Sequence, residues 1–334
     1  MRTISLIMLL AAALFGASEE RVVQTNSAGD NVHVIDPKTN RVVGVIEDIE
    51  VPHGVALAPD GKRIYVTDES LSTLDVVDAQ TLHVVKRIHL SGRPNNLAVS
   101  KDGKHVYVAI AEGAGAVDVI DAGTNRDVQS IKVDGAIHNI YVTPDGKYAV
   151  AGSIPKKTLN VIDTSTNQVA WTTTLSGGLR PMAFTTNPDG STKQIIVQLS
   201  DYHGMVVVDF ATHKEVRRIA LPEPAGETKE TEGIQGAPSH GLAITPDGKT
   251  LWASSKWYGY VAAYSLPDFK LLKVVPVGSH PEWLTIPPDG KSLYVACAGD
   301  DTTVVVDNKT EKVVARIPVG AVPKRNTSGM LQAD

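Results

Sequence analysis

The chain has 334 residues, 42% of them hydrophobic and 21% charged, with a formal net charge of -5 at pH 7. Its 32 Lys and Arg are scattered rather than clustered, which sets nucleic acid aside as a partner. A lone cysteine, Cys297, rules out an internal disulfide, so burial alone must hold the fold.

The N-terminus opens with a basic residue, Arg2, an apolar run from Ile4 to Phe15, and the small residues Gly16, Ala17 and Ser18. That is the layout of a secretory signal peptide, and the run is shorter than the roughly 20 residues of a spanning helix. We expect residues 1–18 to be a cleaved leader, a mature chain 19–334 that forms one domain with no membrane span, and a periplasmic or secreted location.

After the leader, residues 21–46 supply three short apolar strands. From residue 51 onwards a unit recurs: "VPHGVALAPDGKRIYV", "RPNNLAVSKDGKHVYV", "AIHNIYVTPDGKYAV", "RPMAFTTNPDGSTKQIIV", "SHGLAITPDGKTLWAS" and "HPEWLTIPPDGKSLYV". The turn aspartates Asp60, Asp102, Asp145, Asp189, Asp247 and Asp289 are spaced by 42, 43, 44, 58 and 42 residues, a fixed period that marks a repeat architecture. Asp-Gly between apolar runs signals a tight hairpin, because Gly takes the positive φ of the turn at no steric cost. A second motif alternates with the first, from "VIDPKTN" through "VVDAQTL", "VIDAGTN", "VIDTSTN" and "VVDFATH" to "VVDNKTE".

Each period therefore reads as four antiparallel strands with no helical segment. The strands are apolar on both faces, so both faces of each sheet must be covered, which radial packing of sheets achieves. Six repeats are complete. The three N-terminal strands lack an innermost one, and "VPKRNTSGML" near the C-terminus supplies it. The fold class is all-β: a seven-bladed β-propeller whose first blade is closed by the C-terminal strand, which would leave no sheet edge exposed and favour a monomer.

The unit in "PDGKSLYVACAGDDTTVVVDNKT" resembles the YVTN-repeat family of seven-bladed β-propellers over residues 21–331. The resemblance implies the fold and leaves function open, because relatives include surface-layer proteins, sugar-lactone hydrolases and the haem-binding propeller domain of periplasmic nitrite reductases.

In such a blade the loop into the first strand and the loop between the second and third strands share one face. Seven positions before each turn aspartate stand His53, Asn95, His138, Met182, His240 and Glu282, and the split blade adds Lys324. This makes a ring of one residue per blade at the channel mouth. His53, His138, His240 and Glu282 are the inventory of a site for one divalent metal ion; the same residues also suit a polar channel lining or an acid/base or anion-binding role. Two positions earlier stand Arg93, Arg180 and His280, and with Lys324 and Arg325 the arginines suggest a cationic mouth for an anionic ligand, or else bonds to backbone carbonyls. Trp257, Tyr258 and Trp283 form either an aromatic wall or packing. His203 beside Asp201 is a loose catalytic pair. The long spacing before Asp247 places an insertion at 222–238, ending near His240, as a lid or as a solvated loop.

No CxxCH, GxSxG, HExxH, EF-hand or phosphate-loop motif occurs. The first functional expectation is therefore an exported binding module for a small anionic ligand or a partner protein. The alternative is a metal-dependent lactonase- or lyase-like enzyme using the His/Glu ring. The third is a haem-associated redox propeller, with a histidine as axial ligand.

Overall fold

The computed structural model describes residues 18–231 and 236–332. The expected leader lies outside the described residues up to position 17, and the first described residue, Ser18, already pairs with Gln332 in a sheet.

Seven four-stranded antiparallel sheets make up the described chain, and no helix occurs among the described residues. In chain order from the split blade, the innermost strands are Pro323–Gln332, Pro52–Leu57, Pro94–Val99, Ile137–Val142, Leu179–Thr186, Leu242–Ile244 and Pro281–Thr285. Each touches the next and the last returns to the first, so the ring closes. Closure is made by the C-terminal strand lying against Ser18–Asn26, as the missing inner strand of residues 21–46 requires.

The two sequence motifs are the two kinds of hairpin. The turn glycines sit at positive φ, +71° at Gly61 and +69° at Gly290, conformations closed to most L side chains. The aspartate of the second motif closes its turn with its own carboxylate, as where Asp121 Oδ1 accepts from Thr124 N at 2.7 Å and from Thr124 Oγ1 at 2.8 Å.

Packing lies between blades rather than within one. Tyr65, Leu74 and Val76 of the second blade interlock with Leu97, Val106 and Val108 of the third. Cys297 is buried in the cluster between the last two blades, where burial pushes its thiol up to about 12. Such a thiol is inert packing.

Candidate functional site

The ring at the channel mouth is fixed by a recurring backbone device. In five of the seven blades the register shifts at the ring position: between Pro52 and Val55, Pro94 and Leu97, Ile137 and Asn139, Leu179 and Met182, and Pro281 and Leu284. Such bulges re-aim side chains, and they fall here at His53, Asn95, His138, Glu282 and, in the fifth blade, beside Arg180. Hydroxyls of the preceding blade hold the ring carbonyls: Thr25 Oγ1 donates to His53 O at 2.9 Å, Thr67 Oγ1 to Asn95 O at 2.7 Å and Ser254 Oγ to Glu282 O at 3.1 Å. The glycine after each of two ring histidines follows from this closeness. A Cβ on Gly54 would stand 2.7 Å from Asn95 O, and one on Gly241 2.3 Å from Glu282 O.

Glu282 is fully buried and is the anionic centre of the mouth. Lys256 Nζ lies 2.7 Å and Lys324 Nζ 3.4 Å from its Oε1. His240 Nδ1 lies 2.7 Å from Oε2, close but off the line that a hydrogen bond prefers. Burial alone would raise the Glu282 carboxyl; Lys324, His240 and Lys256 outweigh it and hold the group well below the usual carboxylate range. His240 is pushed well below its ordinary 6.5, first by burial, then against the pull of Glu282 by Arg180 and Lys256.

Across the axis His138 meets His240 edge to face, with ring centroids 5.5 Å apart. Its Nδ1 faces Asn139 Oδ1, and Arg180 Nη1 lies 3.2 Å from its Nε2. Those partners assign the tautomer: Nδ1 carries the hydrogen, and Nε2 offers a lone pair to the guanidinium. Burial, then Arg180, Arg325 and His240, push His138 well below 6.5 and keep it neutral. Arg180 is itself steadied by Ser200 Oγ at 2.7 Å.

His53 turns away from the other histidines. Its Nδ1 stands 3.1 Å from Glu69 Oε1, and Asn95 Nδ2 donates to the same oxygen at 3.3 Å while Arg93 Nη1 lies 3.6 Å away. A cavity of about 470 Å³ opens over this half of the mouth, lined by Glu69, Arg93, Asn95, His138, Arg180 and Ser200, with Gly236 and Ala237 of the insertion at its roof.

Several expectations are corrected. His53, His138, His240 and Glu282 do not form one donor set: among the described residues no three His, Cys, Asp or Glu side chains converge as a metal ion requires. Glu282 is already engaged by two lysines, and Arg180 occupies the free face of His138, so the donors present do not fit a divalent ion. Met182 packs into the apolar core instead of facing the channel. The aromatic wall divides: Trp257 and Tyr258 gather around His203, with centroids 5.5 and 5.3 Å away, under Lys229 of the insertion, whereas Trp283 stacks on Tyr141 deep in the channel. Trp257 and His280, which faces Glu230 at 3.4 Å, thus belong to the seam beneath the insertion and not to the ring. His203 bonds Ser255 Oγ at 2.8 Å, and Asp201 pairs with Lys157 at 3.5 Å, so they make no catalytic pair. Of the insertion 222–238, residues 232–235 lie outside the described residues; Ala237 and Ser239 are buried, and Pro238 O accepts from Lys256 N at 3.0 Å, which ties that end down over the mouth.

Sequence reasoning missed the partnership of Lys256 and Glu69 with ring residues. Both stand in loops between second and third strands, on the face expected, but nothing in their local pattern announces a partner 26 or 16 residues away.

The fold comparison agrees with this architecture. The subunit matched in the hydrazine synthase of Kuenenia stuttgartiensis shares 23% identity and a TM-score of 0.73, over 92% of this chain and 99% of that one. The periplasmic gluconolactonase of Pseudomonas aeruginosa shares 16% identity and a TM-score of 0.75, over 93% and 99%. A dihydro-heme d1 dehydrogenase shares 18% and 0.66, over 89% of this chain and 63% of that one. No curated protein matches the chain. The family model described as "Lactonase, 7-bladed beta-propeller" matches residues 46–315. The chain belongs to that family of seven-bladed propellers.

Proposed function

We propose that the chain is an exported lactone hydrolase working as a monomer, with its chemistry in the mouth cavity between His138 and Arg180. Family membership supports an enzyme over the binding module that the sequence first suggested. The observation that carries the proposal is a neutral imidazole whose Nε2 faces a guanidinium at 3.2 Å beside an open cavity.

On this reading the lactone carbonyl draws Arg180 Nη1 from His138, and the guanidinium stabilises the oxyanion that develops. The freed Nε2 takes a proton as the water oxygen bonds to the carbonyl carbon. The ring C–O bond then breaks, and His138 returns the proton to the departing ring oxygen, giving a hydroxy acid. Its new carboxylate lies between Arg180 and Arg93, whose guanidinium forks suit it. Lys256, Lys324 and Glu282 touch none of these atoms; they hold His240, and through it the His138 ring, in place.

The test is acid release from glucono-δ-lactone at constant pH, corrected for spontaneous opening. The wild type should exceed the background, and His138→Gln should lose roughly 10²-fold or more, the range of general base catalysis. Since His138 is held well below 6.5, kcat/KM should stay level through neutral pH and fall only on the acid side. Background rates across a panel of sugar and aliphatic lactones would overturn the proposal. The haem-associated reading is decided on the same samples by visible absorption, and export by the N-terminal residue of the purified mature chain.

A further inference from the structure

Lys324 and Arg325 are neighbours on the innermost strand Pro323–Gln332, yet Lys324 pairs with Glu282 while Arg325 lies between the ring residue Asn95 and a second cavity. Arg325 does not line the mouth cavity. It lines a second cavity of about 410 Å³ at the opposite end, where the Asp-Gly turns lie. The residue is 1% exposed, and its guanidinium stacks over the Trp283 ring at 4.0 Å. Nη2 donates to Asn95 Oδ1, while Nε and Nη1 are buried without a partner.

An unmatched buried guanidinium is costly, since an uncompensated charge loses its hydration without gaining an ion pair. Burial pulls Arg325 down to about 10, so it remains charged at neutral pH. Among the described residues no carboxylate lines the cavity, and Lys101 stands among its lining residues. Its remaining wall is mixed: Val55, Leu57, Leu97, Val99 and Val142 give one apolar side, and Asn96, Ser100, Asn326, Thr327 and Ser328 give polar groups. Two unpartnered N–H donors beside a cavity with an apolar side of valines and leucines match a carboxylate carried on an apolar body.

We propose that this opposite cavity is a second binding site, which takes a small monocarboxylate with an apolar body on Arg325. The site is separate from the mouth and does not depend on lactone hydrolysis there. A free inorganic anion would satisfy the donors but leave the valine and leucine side of the wall wet, so the fit is to both parts of the ligand.

Benzoate is the probe, titrated by calorimetry into the full-length purified chain, with benzamide and inorganic phosphate as controls. The expected result is saturable one-to-one binding of benzoate, at least tenfold weaker binding of both controls, and loss of at least tenfold in Arg325→Gln. Val142→Glu sets a carboxylate in the partly exposed cavity wall and decides the matter if Arg325→Gln does not fold; it should also abolish binding. Arg180→Gln, at the mouth, should leave benzoate binding within twofold. The proposal is overturned if benzoate fails to bind, if benzamide binds as well, if Val142→Glu binds like wild type, or if Arg180→Gln is the variant that loses binding.

Discussion

The two ends of one channel handle buried charge in opposite ways. At the mouth, Lys256 and Lys324 converge on Glu282, with every partner buried and within 3.4 Å. Deeper in the channel, Arg325 is as deeply buried, but among the described residues no carboxylate forms an ion pair with it; Asn95 and the Trp283 face answer it, and Glu69 and Glu282 act on it only at longer range. A charge that has its partners is structure. One that lacks them is an affinity waiting for a ligand, and the contrast gives each end a different response to mutation.

The largest effect should come from Glu282→Ala. Removing that carboxylate breaks the buried ion pair it makes with two ammonium groups, a change that typically costs about 3–5 kcal/mol, read as a shift in urea midpoint at constant m. A loss below about 1 kcal/mol would mean that the lysines find solvent, and the contrast between the ends would fail.

Next comes acidification. His53, His138 and His240 are all held below 6.5 by burial, while in the unfolded chain they take up protons near 6.5. The unfolded state therefore binds more protons as pH falls below 6.5, so stability is lost on going from pH 7 toward 5, by up to about 1.4 kcal/mol per pH unit for each histidine. Urea unfolding at pH 7 and 5.5 checks this, and equal stability at both would contradict the neutral assignments on which His138 depends.

The smallest effect is expected at the other end. Arg325→Met removes an unpaired buried charge and keeps much of its length, so stability should stay within about 1 kcal/mol of wild type or rise. A loss as large as that of Glu282→Ala would show that Arg325 is structural, and would weaken the case for a ligand there.

The fold was legible because its signals are local and repeated: an Asp-Gly turn and an aspartate-capped turn in almost every period, and an odd half-blade that only the C-terminus could complete. The ring was legible for the same reason, since the period places His53, His138, His240 and Glu282 at equivalent stations. Where each side chain points was not legible, because bulges break the simple alternation at these residues. The period likewise gave Lys324 and Arg325 one role, although successive strand residues take opposite directions and only Lys324 reaches Glu282. The metal site failed at this step: the residue types were suitable, but lysines and arginines from other loops and blades had already claimed them.

The most direct measurement compares lactone opening in His138→Gln and Val142→Glu, one variant at each end, each confirmed as folded by its unfolding transition. If the mouth alone carries the chemistry, His138→Gln falls roughly 10²-fold or more, and Val142→Glu keeps the wild-type rate. Wild-type rates in His138→Gln, or equal losses in both variants, would contradict the assignment.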